Sequence, residues 1–207
     1  MVRLFYTGLL ILVSNVSFGQ KAEGKLMYYI PQSYIQPGML EGSATFSPSS
    51  MLNRASNNYY LSGFAAYTLD NKISIRSDNY FLMNSSEDDP FLDQAFRSYI
   101  GAFYHFRKDE NSNWDKYVGF QPGVAYLKRN LYYGGKNTFA PNYEEGHLVP
   151  SFSVSVGTSF YVWKYFNFYA NLAYVNSNLK AVSGGPFKTD ELIFSAGLGF
   201  QIQTRKN

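Results

Sequence analysis

The sequence has no cysteine, only two histidines and two tryptophans, and a formal net charge of just +3 in 207 residues. Without thiols there is no disulfide framework, no thiolate metal site and no cysteine behind an export signal to carry a lipid anchor. The basic side chains are scattered, with no cluster that would track a phosphate backbone, so nucleic acid is not an expected partner. After the first 19 residues no apolar run reaches the ~18 to 20 residues that a membrane-spanning helix needs, and overall hydropathy is slightly polar. A helical membrane protein is thereby excluded. A barrel is not, because its strands alternate instead of running apolar.

What is abundant is aromatic: 19% of residues, with 19 Tyr and 18 Phe. Amphipathic rings are favoured where hydrocarbon meets headgroups. The N-terminus places Arg3 before an apolar stretch, Leu4 to Val13, and then Ser17-Phe18-Gly19. That order predicts a cleaved secretory signal peptide over residues 1–19.

The most telling stretch is Pro150 to Tyr161, PSFSVSVGTSFY. Side chains in a strand alternate between faces, so Phe152, Val154, Val156 and Phe160 share one side while Ser151, Ser153, Ser155 and Ser159 share the other. One side wants hydrocarbon and the other is small and polar. Eight alternating segments follow this logic: Leu40 to Ser47, Tyr59 to Leu69, Ile73 to Met83, Phe96 to Arg107, Tyr117 to Leu127, Val149 to Tyr161, Phe166 to Val175, and Leu192 to Ile202. Most have the ~9 to 12 residues that a tilted strand needs to cross a bilayer. The predicted fold class is all-β, an eight-stranded antiparallel transmembrane up-and-down barrel. Within Ser77 to Met83 the alternation is weakest, so the register there is open by one residue.

The connections alternate in length, short at Asp70-Asn71-Lys72 and Val162 to Tyr165, long at Lys128 to Leu148 and Asn176 to Glu191, with Lys108 to Lys116 a turn of medium length, longer than the pattern prefers. Short periplasmic turns and long extracellular loops give this rhythm and put both termini in the periplasm. Residues 20–39, interrupted by Pro31 and Pro37, read as a periplasmic lead-in, 40–203 as the barrel and 204–207 as a periplasmic tail. The expected location is the outer membrane of a Gram-negative bacterium.

Glu41, Arg76, Asp78, Arg97 and His105 fall on the inward face. An eight-stranded lumen is just wide enough for side chains to fill it, so these groups are expected to pair with each other or with Ser, Tyr and Asn as an internal plug. A gated ion path or a catalytic set is the competing reading. Bulky inward residues, among them Tyr60, Phe64, Tyr99, Phe103 and Tyr169, point to a lumen without a sizeable pore. Glu87-Asp88-Asp89 with Asp93 lacks the Gly and the bidentate Glu of a calcium loop and reads as a solvated charge run, so neither metal nor cofactor is expected.

Export signal, strand rhythm and the closing strand FSAGLGFQI, Phe194 to Ile202, resemble the small eight-stranded outer-membrane barrels. That group holds the OmpA transmembrane domain, OmpX and the related porin-like or PorT-like barrels. The resemblance covers roughly residues 40 to 202. It implies outer-membrane lipid and lipopolysaccharide as surroundings, and the outer-membrane assembly machinery as a partner during biogenesis, because a terminal strand ending in aromatic and apolar residues resembles the signal that machinery reads. Gln203 to Asn207 extends beyond that signal. The peptidoglycan-binding domain of full-length OmpA relatives is not expected. Barrels of this kind that modify lipid A use His with Ser and an acid, but His147-Leu148-Val149-Pro150-Ser151 does not reproduce the His-x-Ser-Asn pattern of the deacylase branch.

The expected function is therefore non-enzymatic, a structural or loop-mediated binding role such as adhesion, envelope integrity or assembly with an envelope protein. A lipid A-modifying enzyme and a narrow pore for small or apolar solutes are the alternatives. Lys128 to Leu148 is the richest loop for contact with an envelope protein or extracellular ligand, through Tyr132, Tyr133, Phe139, Tyr143 and His147, since aromatics dominate binding hot spots. A secreted lipocalin, the rival eight-stranded barrel, would expose charged residues where this chain offers Ser, Gly, Asn and Tyr.

Overall fold

The computed structural model describes residues 36–53, 56–85, 92–106, 112–129, 146–179 and 187–204. Eight strands follow one another: β1 Met39–Met51, β2 Asn57–Thr68, β3 Ile73–Ser85, β4 Leu92–His105, β5 Trp114–Arg129, β6 His147–Trp163, β7 Phe166–Leu179 and β8 Phe187–Gln203. Each pairs antiparallel with the next, and β1 pairs with β8, which closes the barrel and leaves no sheet edge. The expected fold class is the observed one. The proposed signal peptide and most of the lead-in lie outside the described residues.

Closure fixes the tilt. Starting at Tyr161 on β6, the paired positions run through Asn167, Gly199, Ser43, Phe64, Asp78, Tyr99 and Gly123, and return to β6 at Ser151. The circuit comes back ten residues from where it left. Such a stagger forces the strands to slope across the barrel axis, and with eight strands the interior has room only for side chains.

The side-chain alternation sorts as the sequence requires. On β6, Val154 is 41% exposed and Val156 56%, whereas Ser153 and Ser155 are buried. Phe46, Phe81, Ile100, Phe120, Phe168, Phe194 and Phe200 are likewise exposed on the outside, an arrangement that water would penalise and a bilayer rewards. Aromatic rings gather in bands. Near the short turns, Trp114 packs on Phe160 (4.9 Å between centroids), Trp163 on Phe166 (6.5 Å) and Phe166 on Phe200 (5.1 Å). Toward the other end, Phe152 lies between Phe120 and Tyr174.

Two details depart from the sequence reading. Every strand reaches beyond its predicted segment at one end or both: Pro48–Met51, Leu92–Ala95, Trp114–Lys116, Asn176–Leu179 and Phe187–Glu191 continue the ladders. And β3 contains a bulge, since Tyr60 pairs with Leu82 while Tyr59 pairs with Asn84, leaving Met83 without a partner. Tyr80 faces inward and Phe81 and Met83 outward by ordinary alternation; the extra residue then leaves Asn84 outward as well and turns Ser85 back into the lumen.

Two inward rings lie flat against glycines of the neighbouring strand. A Cβ at Gly119 would sit 2.5 Å from the Phe103 ring, and one at Gly157 would sit 2.5 Å from the Tyr117 ring. Both pairs are direct cross-strand partners. The missing side chains are what let bulky rings lie along the wall instead of colliding across the lumen.

Candidate functional site

The lumen is where the chain concentrates its buried polar groups, and they form three tiers. In the tier farthest from the short turns, Arg97 of β4 reaches Glu191 of β8, with Nη2 2.5 Å from Oε1. The other carboxylate oxygen accepts hydrogen bonds from Ser49 Oγ (2.9 Å), Tyr60 Oη (2.9 Å) and Asn58 Nδ2 (3.4 Å). Four strands thus converge on one carboxylate. A buried charge pair holds its place only with such additional bonds, because removing two ions from water costs several kcal/mol per ion. Tyr60, Tyr80 and Tyr99 stack edge-on beneath it, with centroids 6.2 and 6.1 Å apart.

The middle tier is built on β3. Arg76 donates to Asp78 Oδ1 through Nε (2.9 Å) and Nη2 (2.7 Å) and to Tyr117 Oη through Nη1 (3.3 Å). Its guanidinium lies 3.8 Å over the Phe64 ring and 5.0 Å from that of Phe103, so the cation is held by ring faces as well as by the carboxylate. Phe64 in turn meets Tyr169 edge-on at 5.1 Å. Gln121 closes the tier by donating to the Arg76 carbonyl at 3.1 Å.

The third tier lies at the short-turn mouth. His105 Nε2 is 2.8 Å from Ser74 Oγ and His105 Nδ1 is 2.7 Å from Asp115 Oδ2. Nearby, Tyr161 donates to Glu41 Oε1 at 2.7 Å, and Asn167 donates to Gln201 at 3.1 Å. Serine, histidine and aspartate in this order are the parts of an acyl-transfer relay. Here, however, Ser74 is 3% exposed, and its backbone is engaged in the sheet between Thr68 and Phe103, so it offers no free N–H for a developing oxyanion. The contacts hold the imidazole in one orientation and tie β3, β4 and β5 together.

Of the five inward ionisable residues read from the sequence, only Arg76 and Asp78 meet each other. Arg97 pairs with Glu191 and His105 with Asp115, while Glu41 meets a tyrosine hydroxyl. Asp115 and Glu191 fall outside the alternating segments read from the sequence, in the connections 108–116 and 176–191. Glu191, Ile193, Ser195 and Asp115, Tyr117, Gly119 continue one buried face into those positions, but that face mixes polar and apolar residues, so no period-two contrast marks it in the sequence. Tyr60, Phe64, Tyr99, Phe103 and Tyr169 are all buried in the lumen. His147 is the first residue of β6, partnered in register with the buried Leu127. Tyr132, Tyr133, Phe139 and Tyr143 lie outside the described residues. Asp93, from the acidic stretch, forms an outward ion pair with Lys128 at 2.8 Å. Among the described residues no group of three or more His, Asp or Glu is arranged to hold a metal ion.

Neither a protein-family model nor a curated protein matches the chain. Solved structures do. The fold is similar to the outer membrane protein OprG from Pseudomonas aeruginosa, with a TM-score of 0.55 and 10% identity over 84% of this chain and 99% of that one. It is similar to Neisserial surface protein A, with a TM-score of 0.51 and 14% identity over 80% and 96%. The attachment invasion locus protein Ail of Yersinia pestis gives a TM-score of 0.50 and 14% identity over 81% and 100%, and Ail is also seen in complex with the heparin analogue sucrose octasulfate. The chain has the fold of the small eight-stranded outer-membrane barrels.

Proposed function

We propose that this chain is a plugged outer-membrane barrel of a Gram-negative bacterium, exported by residues 1–19, that works through its long extracellular loops rather than through its lumen. The observation that carries this reading is the Arg97–Glu191 pair, which spans the lumen with neither side chain accessible to solvent. A solute path would have to break it together with the hydrogen bonds from Ser49, Asn58 and Tyr60. What remains for contact with the outside is the set of loops on a rigid wall, an arrangement suited to adhesion or to assembly with another envelope protein. Ail's complex with the heparin analogue sucrose octasulfate supports ligand binding as a use of this fold.

On this reading the short turns lie in the periplasm, with the lead-in and the tail. Lipid and lipopolysaccharide surround the wall, and the assembly machinery engages β8. Residues 128–148, with Tyr132, Tyr133, Phe139 and Tyr143 between β5 and β6, form the working surface, and His147 stands at its root.

Photo-cross-linkers placed through residues 128–148 in intact cells test it. Capture of a defined envelope protein or extracellular ligand, lost when residues 131–145 are deleted while the barrel still folds, is the expected result. Unchanged partners and phenotype after that deletion overturn it.

A further inference from the structure

The outer wall carries a groove of about 540 Å³ that the loop-binding reading does not use. It crosses β5 to β8 near the short-turn end. Its floor is low because Lys116, Thr158 and Ala170 are successive cross-strand partners that line it, and after the lysine each is small. Thr158 gives its hydroxyl to the Asp115 carbonyl at 2.8 Å, which leaves its methyl to the groove. Val156, Leu172 and Phe194 form the parallel row on one side. Trp114, backed by Phe160, stands on the other.

The charge pattern decides what fits. Elsewhere on the outward face of the described strands, charged side chains are paired near the loop end, Asp93 with Lys128 and Lys188 with Asp190. Lys116 is exposed, lines the groove at its short-turn end, and has no acidic partner among the described residues. A cation there can lie in the headgroup zone and attract phosphate, while the groove behind it accepts only hydrocarbon. Because the strands are tilted, the row from Lys116 to Ala170 climbs from the girdle toward mid-membrane. It covers two inter-strand spacings, about 10 Å, a length suited to the first half of an acyl chain.

We infer that this groove is a specific phospholipid site: a phosphoglyceride of the periplasmic leaflet binds with its phosphate on Lys116 and one acyl chain along Thr158 and Ala170, between Trp114 and Leu172. The leaflet follows from the orientation proposed above. The groove itself is independent of what the loops bind.

The full chain, refolded into vesicles of phosphatidylethanolamine and phosphatidylglycerol, extracted in mild detergent and weighed by native mass spectrometry, tests the inference. Wild type is expected to retain one phospholipid. Lys116→Gln is expected to lower that retention about five-fold, Lys116→Arg to restore it, and Ala170→Phe to abolish it by filling the floor. Lys72→Gln, in the short turn between β2 and β3 and outside the groove, should retain lipid as wild type does. Heat-modifiable migration checks that each variant is folded, and Ala170→Leu replaces the phenylalanine should that variant fail. Equal retention by wild type, Lys116→Gln and the filled variant overturns the site. Preferential retention of added lipid A overturns the choice of occupant and of leaflet, whereas loss of every loop partner with phospholipid retention intact overturns only the loop reading.

Discussion

Arg97 and Glu191 come from strands on opposite sides of the ring, β4 and β8, and meet inside it at 2.5 Å. The pair is asymmetric in its dependence on neighbours. Glu191 also accepts from Ser49, Asn58 and Tyr60, so its loss leaves a buried cation and three donors, while loss of Arg97 leaves a carboxylate that is still hydrogen-bonded.

Glu191→Ala is therefore expected to destabilise the barrel by about 3–5 kcal/mol, and Arg97→Ala by less. Urea titration in lipid vesicles measures both. Equal costs would show that the three neutral donors contribute nothing. On the plugged reading, planar-bilayer recordings of the wild type should show no large steady openings, since the same buried pair spans the lumen.

Faces of β6 differ in what they tolerate. Val154→Arg puts a charge on the lipid side near mid-membrane and should cost about 2–4 kcal/mol, whereas Ser155→Ala, which removes one long 3.3 Å contact with Ser153, should cost about 1 kcal/mol or less. Refolding into vesicles of defined thickness compares them. Similar costs would defeat the assigned register.

A side chain at Gly157 must displace the Tyr117 ring that also receives Arg76. Gly157→Val is expected to cost about 1–3 kcal/mol from overpacking. Adding Tyr117→Ala should recover part of that, seen as a non-additive double-mutant cycle. Strict additivity would mean that the ring and the glycine are not in contact.

Ser74 has a histidine at 2.8 Å, and that histidine has an aspartate at 2.7 Å, yet the expected outcome is no chemistry. A fluorophosphonate probe applied to the folded protein should leave Ser74 unlabelled. Labelling that disappears in Ser74→Ala would establish a hydrolase in place of the non-enzymatic reading.

The strand order and the two faces were legible in the sequence wherever apolar and small polar residues alternate, as in Val154 and Ser155. Strand ends were not. Around Thr189, Asp190 and Glu191 both faces are polar, so the period-two contrast vanishes although the ladder continues to Phe187. The same loss of contrast hid Glu191 and Asp115, and with them the partners of Arg97 and His105. Which ionisable groups face inward follows from parity along one strand, but which of them meet depends on the stagger between distant strands, and no single segment encodes that. The bulge at Met83 shows at the sequence level only as a local weakening of the pattern.

The β1–β8 junction joins residues far apart in the chain: Thr45 donates to the Ala196 carbonyl across 151 positions. Every other junction is between consecutive strands and closes a hairpin-sized loop. Seven hairpin contacts can therefore assemble locally, whereas the eighth waits for the C-terminal strand and carries the largest loop-closure entropy. Until it forms, β1 and its neighbours present two open backbone edges, which lipid cannot satisfy and another chain can. The time between release of the chain and zipping of this seam is thus its window of greatest vulnerability to aggregation and proteolysis, and a truncation within β8 would extend that window indefinitely.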